Sequence, residues 1–249
     1  MKFVLDTHCH TIASGHAYST VIEIAREANN KGLEVVGITD HGPSMPGASN
    51  VFHILNQRVV PDMIYGVQIL RGVEANIIDY DGKLDMSNEM LKKLDIVIAS
   101  LHDVCIESGG IDNNTNALLK AMENDVVDII AHPGNPVFPI HYEEVVKKAK
   151  DTGTLIEINN SSFVSSRVGS LENCIEIARL CKKHRVKVVV GSDSHVAFDV
   201  GRFDKAIEVL NSVQMPEELI VNISSDRLIK YLNSKGKSRF LDSSINSLV

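Results

Sequence analysis

Seven of the ten histidines in this sequence, several of them beside carboxylates, stand at or after the ends of short apolar runs. Asp6, His8 and His10 fall together in DTHCH, with His16 close behind; Asp40 and His41 fall in TDH. Glu74 ends VQILRGVE, His102 and His132 follow further on, and Asp193 and His195 close the set. Imidazole and carboxylate are the donors of zinc, manganese or iron(II) sites that keep a position open for water, whereas thiolate-rich sets close around a structural zinc. Seven imidazoles with Glu74 and Asp193 exceed the needs of one ion. At three or four ligands each, with one carboxylate shared, they serve about three divalent ions. His8 and His10 alternate, so on a strand they project from one face and grip one ion together, while Cys9 points to the other side. His102 and His132 lie about one strand–helix unit apart and suit another ion.

The elements that must position these residues are legible in the hydropathy pattern. Short β-branched runs at 3–5, 34–39, 67–73, 95–99, 128–131, 155–158 and 186–190 alternate with stretches at 20–31, 115–124, 143–151 and 171–184. The longer stretches carry apolar residues at helical spacing, as with Ile22, Ala25 and Ala28. Such repeated units imply a mainly parallel sheet buried on both faces. The candidate ligands follow the strand runs. Residues at the C-terminal ends of different strands converge only if the strands ring a common mouth, so the spacing favours a distorted (β/α)7 barrel over an open sheet. A run at 219–223 is a weaker eighth strand. No low-complexity linker divides the chain, so 1–249 reads as a single domain, with a polar tail at 234–249 that is loosely held.

Composition narrows the function. A net charge of −7, 5% aromatic residues and no tryptophan argue against a general grip on nucleic acid, which wants a basic surface and stacking platforms. No apolar run is long enough to cross a bilayer, and the N-terminal MKFVLDTHCH is too short an apolar stretch for a signal peptide. The expected compartment is the cytoplasm. The four cysteines show no CxxC spacing, and Cys174 and Cys181 read as buried core thiols. The remaining histidines, His53, His141 and His184, read as structural or solvated, with His141 nearest to a pocket.

Taken together, HCH, His16, TDH, Glu74, His102, HP and SDSH resemble the PHP (polymerase and histidinol phosphatase) superfamily, and most of all its stand-alone YcdX-type phosphatases. The resemblance runs from His8 to His195. It implies a distorted TIM-like barrel of seven strands and a trinuclear metal centre, with zinc as the first expectation and manganese or iron(II) as alternatives. By that analogy His8, His10, Glu74 and Asp193 hold one ion. Glu74 bridges to a second held by His102 and His132, and His16, His41 and His195 hold a third.

The chemistry expected of such a centre is hydrolysis of phosphate monoesters, with water activated for in-line attack on phosphorus. Two carboxylates against about three divalent ions leave a strongly cationic site that attracts a small phosphorylated substrate even to an acidic protein. Asp6 and Asp40 are expected to orient ligand imidazoles, and Asp40 is also a candidate proton shuttle. Arg167 is a candidate phosphate clamp, because a guanidinium matches phosphate oxygens as a fork; Arg202 is the second choice. The competing readings are a phosphodiesterase or nuclease on the same metals, a histidinol-phosphatase-like activity, and an inactive binding module. The sequence leaves the oligomeric state unknown.

Overall fold

A computed structural model of the protein describes residues 1–164, 166–237 and 239. Seven parallel strands run in the order β1 (Leu5–Cys9), β2 (Val35–Ile38), β4 (Val67–Asn76), β5 (Ile96–Ser100), β6 (Ile129–Ile130), β7 (Leu155–Asn159) and β8 (Val188–Gly191). A short β3 (Met63–Ile64) adds to β4 antiparallel and lies off this path. All of β1, β2, β5, β6, β7 and β8 are buried at every position, as strands covered on both faces must be.

The ring is nearly closed. At the C-terminal end, the Asp193 amide donates to the His8 carbonyl and the His10 amide to the Ser194 carbonyl, both at 2.9 Å. At the other end the gap between β1 and β8 is spanned by a side chain. The Asn222 amide nitrogen donates to the carbonyls of Leu5 and Val190, and its oxygen accepts from the Val190 amide at 2.7 Å. The run at 219–223 therefore closes the barrel without being a strand. It forms two 3-10 turns, and only Ile220 makes a bridge, to Val188.

Among the described residues there are eight helices: α1 (Val21–Asn30), α2 (Val51–Asn56), α3 (Asn88–Leu91), α4 (Gly110–Met122), α5 (Tyr142–Thr152), α6 (Ser170–His184), α7 (Asp204–Ser212) and α8 (Ser225–Ser234). Helix α1 starts on a reciprocal cap between Thr20 and Glu23 and buries Ile24, Ala25 and Ala28, the stripe that a sheet-covering helix needs. The apolar residues form two clusters. One lies between sheet and helices, and includes Cys174 and Cys181; burial pushes both thiols up to about 12, so they are inert packing. The other fills the barrel lumen with Leu5, Leu70, Ile98, Ile129, Leu155 and Val189, and is plugged by Leu228, Tyr231 and Leu232 of α8.

The expectation of a loose tail needs correcting where it can be judged. Ser234 ends α8, and Lys237 is buried, with its ammonium 2.9 Å from the Asp128 carboxylate. A buried cation needs such a partner. The remainder of that expectation, 238 and 240–249, lies outside the described residues.

Candidate metal centre

Strand alternation carries the lumen from apolar at its base to polar at its mouth. Along β4, Leu70 packs in the lumen and Glu74, four residues on, emerges among histidines; along β7, Leu155 is followed on the same face by Glu157 and Asn159. The loops after the strands then bring in the other residues. His132 and Asp193 follow β6 and β8 with left-handed φ values of 34° and 54°, a conformation that costs a non-glycine residue on the order of 1–3 kcal/mol and is found where function demands it.

The structure brings all nine expected ligands to one place. Glu74 is at the middle. Its Oε2 lies 3.3 Å from His8 Nε2, 3.5 Å from His10 Nε2 and 2.8 Å from His41 Nδ1. Its Oε1 lies 3.3 Å from His102 Nε2 and 3.0 Å from His132 Nε2. Asp193 Oδ1 lies 3.2 Å from His10 Nε2 and 3.7 Å from His8 Nε2. His16 and His195 face each other at 3.0 Å through their Nε2 atoms, and the His16 ring is 5.1 Å from that of His41. Three triads have their donor atoms within 4.8 Å of one another: His8, His10 and Asp193; His41, Glu74 and His102; and His10, His41 and His195.

These spacings fit divalent ions. Tetrahedral ligands at about 2.1 Å from an ion stand about 3.4 Å apart. Five buried donor atoms, His8 Nε2, His10 Nε2, His41 Nδ1, His102 Nε2 and Glu74 Oε2, have no aligned hydrogen-bond partner among the described residues. Leaving a buried polar atom unpaired costs roughly 1–3 kcal/mol, so this concentration of them around one point fits atoms kept for a ligand.

Local charge prepares the same atoms. Burial drives His10 well below the usual imidazole range, with His41 reinforcing it. Burial, with Arg167 behind it, lowers His132 to about 4. Burial opposes ionisation of Glu74 and Asp193, yet His8, with further basic side chains around it, holds both carboxyls well below their ordinary values. For His8 burial acts downward, but Glu157, Glu74 and Asp193 together outweigh it and raise the ring.

Several expected roles change. Asp6 does not orient an imidazole: its carboxylate accepts the backbone amides of His8, Ser192 and Gly201, fixing the loop that carries Asp193. Asp40 is buried and turned back from the mouth. It accepts from the Thr11 amide and hydroxyl and from the Ser14 hydroxyl, each at 2.7 Å. Ser14 Oγ in turn lies 3.0 Å from His10 Nδ1. Asp40 thus meets His10 through Ser14, and its carboxylate faces Thr11 and Ser14 rather than the cavity. Arg167 lines the cavity, but its fork is engaged: both terminal nitrogens reach Asp193 Oδ2, at 3.1 and 3.0 Å. Arg202 also lines the cavity, paired with Asp199. His141 bonds Asp112 and His184 bonds Glu143, away from the cavity.

Three groups were not anticipated. Asn76 holds His102 Nδ1 at 2.8 Å, Ser14 holds His10, and Glu157 holds His8 Nδ1 at 2.7 Å. A signal for Glu157 was present: a charged residue inside LIEIN, on the lumen-facing parity of a strand buried on both sides. The mouth opens into a cavity of about 440 Å³ lined by His16, His41, His102, Asp193, His195, Arg167 and Arg202, among others. That is room for a small molecule.

Comparison with known proteins agrees with this geometry. The PHP domain family model matches residues 6–161. A protein of Clostridium novyi named "Probable phosphatase" is 56% identical over 241 residues, covering 97% of this chain and 99% of its own. One of the same name from Caldanaerobacter subterraneus is 56% identical over 238 residues, covering 95% and 94%. Among solved structures, a histidinol phosphate phosphatase from Lactococcus lactis, crystallised with zinc, L-histidinol and phosphate, aligns with a TM-score of 0.56 at 18% identity, covering 84% of this chain and 93% of that one. A histidinol phosphatase structure from Listeria monocytogenes aligns at 0.62 and 16% identity, covering 80% and 98%. At such identities these two speak for the fold.

Proposed function

The chain belongs to the PHP domain family, and from that premise we propose that it is a metal-dependent phosphatase that removes phosphate from a small phosphomonoester. His8, His10, Glu74 and Asp193 would hold one divalent ion, Glu74, His102 and His132 a second, and His16, His41 and His195 a third, with zinc as the first expectation. Bound there, such ions would supply Lewis acidity and an acidified water at neutral pH.

The chain's own residues prepare that chemistry. Arg167 and Asn159 occupy Asp193 Oδ2, which leaves Oδ1 to face His8 and His10. Asp40, through Ser14, sets the His10 ring, and Asn76 sets His102. The cavity receives the phosphoryl group against His16, His41 and His195, where bound divalent ions would favour an anion. The observation that carries this reading is the set of five orphaned donor atoms formed by Glu74 Oε2 and four histidine nitrogens around it.

A bounded cavity on a chain of net charge −7 favours a small substrate over a polynucleotide, which would be drawn in by many basic contacts. Among the described residues no helix is long and apolar enough to cross a membrane. The test is the rate on p-nitrophenyl phosphate and a panel of metabolite phosphates, set against bis-p-nitrophenyl phosphate and single-stranded DNA at matched salt. Monoester turnover that a chelator abolishes is expected. Diester or DNA cleavage tenfold faster, about 1.4 kcal/mol of transition-state preference, would transfer the assignment to a nuclease.

A further inference from the structure

Glu157 is fully inside the barrel, and every group that meets it is a donor. Its Oε1 lies 2.7 Å from His8 Nδ1. Its Oε2 accepts the backbone amide of His132 at 2.9 Å and the side-chain amide of Asn159 at 3.0 Å. The same Asn159 nitrogen reaches Asp193 Oδ2 at 3.2 Å. One carboxylate is therefore tied to His8 directly, to the strained residue His132 through its backbone, and to Asp193 through one amide. The neighbouring strand makes room for it. A Cβ on Gly191 would stand 2.1 Å from Glu157 Oε1 and 2.7 Å from the His8 Cβ, so β8 gives up a side chain where the carboxylate lies.

We propose that Glu157 is a positioning residue that couples the His8/His10/Asp193 and His102/His132 ion positions, so that its loss weakens ion binding at both while the His16/His41/His195 position is unchanged. This rests on the metal reading above. With His8 Nδ1–H given to Glu157, the lone pair of that ring is on Nε2, aimed at Glu74 and Asp193. The amide hydrogen bond to His132 holds the turn that aims its Nε2 at the other oxygen of Glu74. No hydrogen bond or ion pair links Glu157 to His16, His41 or His195.

Glutamine is the informative substitution, since it keeps the volume and changes only the hydrogen-bond polarity. With its NH2 at the Oε2 place, it meets the His132 and Asn159 donors head on. With its NH2 at the Oε1 place, it donates to His8 Nδ1 and leaves the ring proton on Nε2, the atom an ion would need. Neither orientation works.

The experiment measures zinc affinity by chelator competition and ion occupancy by anomalous scattering for wild type, Glu157→Gln and Gly191→Ala, with melting of each metal-free form. Both variants are expected to bind zinc about 10–100-fold more weakly at the two coupled positions, to retain the ion at His16 and His195, and to melt, metal-free, within a few degrees of wild type. Wild-type zinc affinity at both coupled positions in Glu157→Gln would overturn the proposal, as would equal weakening at all positions with a collapsed melting point, which marks a general structural role. Wild type carrying no ion would instead overturn the metal reading itself, and the proposal with it.

Discussion

The two ends of this barrel are built to opposite rules. At the base, the lumen is a layer of aliphatic side chains closed by α8, the Tyr231 hydroxyl donates to the Asp128 carbonyl, and Asn222 serves the backbones of β1 and β8. At the mouth, His132 and Asp193 take strained backbone conformations and five donor atoms stand unpaired. The base removes most polar groups or pairs them, Asp128 Oδ1 excepted; the mouth concentrates them and leaves them open. The contrast teaches that stability here is carried at the base, and that the mouth spends some of it to keep ligand atoms free, the division expected of a (β/α) barrel.

The sharpest way to break the comparison is Glu74→Ala. Both oxygens of Glu74 face histidines, so its loss should lower kcat/KM by about a thousandfold, roughly 4 kcal/mol at 1.36 kcal/mol per decade, with reduced ion content. The metal-free variant should melt no lower than wild type. Steady-state kinetics, elemental analysis and calorimetry together check this, and a large drop in melting temperature with little loss of turnover would invert the picture.

The mirror experiment is Leu232→Ala, which opens a cavity in the plug. Removing a buried leucine side chain costs about 2–5 kcal/mol, which in a chain of this size lowers Tm by roughly 5–15 °C. Turnover at 25 °C should stay at the wild-type level, and a matching fall in kcat would show that base and mouth are not separable. A smaller effect is expected of Ser14→Ala. It cuts the link from Asp40 to His10 and should weaken metal binding by about 10–100-fold, measured by chelator competition, with little change in melting. The smallest is His184→Ala. It removes a surface contact with Glu143, a kind worth little, and kinetics and melting should both match wild type.

The sequence spoke clearly about the mouth because ligands follow strand runs, and a run followed by His or Asp is visible in one dimension. The seven-strand barrel was legible for the same reason. What was hidden is what depends on side-chain direction. Asp40 sits in TDH beside a ligand, yet its carboxylate turns back to Thr11 and Ser14. Asp6 two residues before His8 holds backbone amides of a loop nearly two hundred positions away. Glu157 acts from inside a strand and reaches His8 only because β8 has glycine at 191. The run at 219–223 has strand composition, but Asn222 does by side chain what a strand would do by backbone. The order of Lys237 depends on a buried Asp128 more than a hundred residues earlier, and no local pattern reports that pairing.

As proposed, the mouth works as a cluster of about three ions. Its most direct test is stepwise reconstitution: strip the purified protein with chelator, add zinc or manganese in measured increments, and follow p-nitrophenyl phosphate hydrolysis. Turnover should be absent in the stripped protein and should reach its plateau near three equivalents. A plateau at one equivalent, or undiminished turnover after stripping, would contradict it.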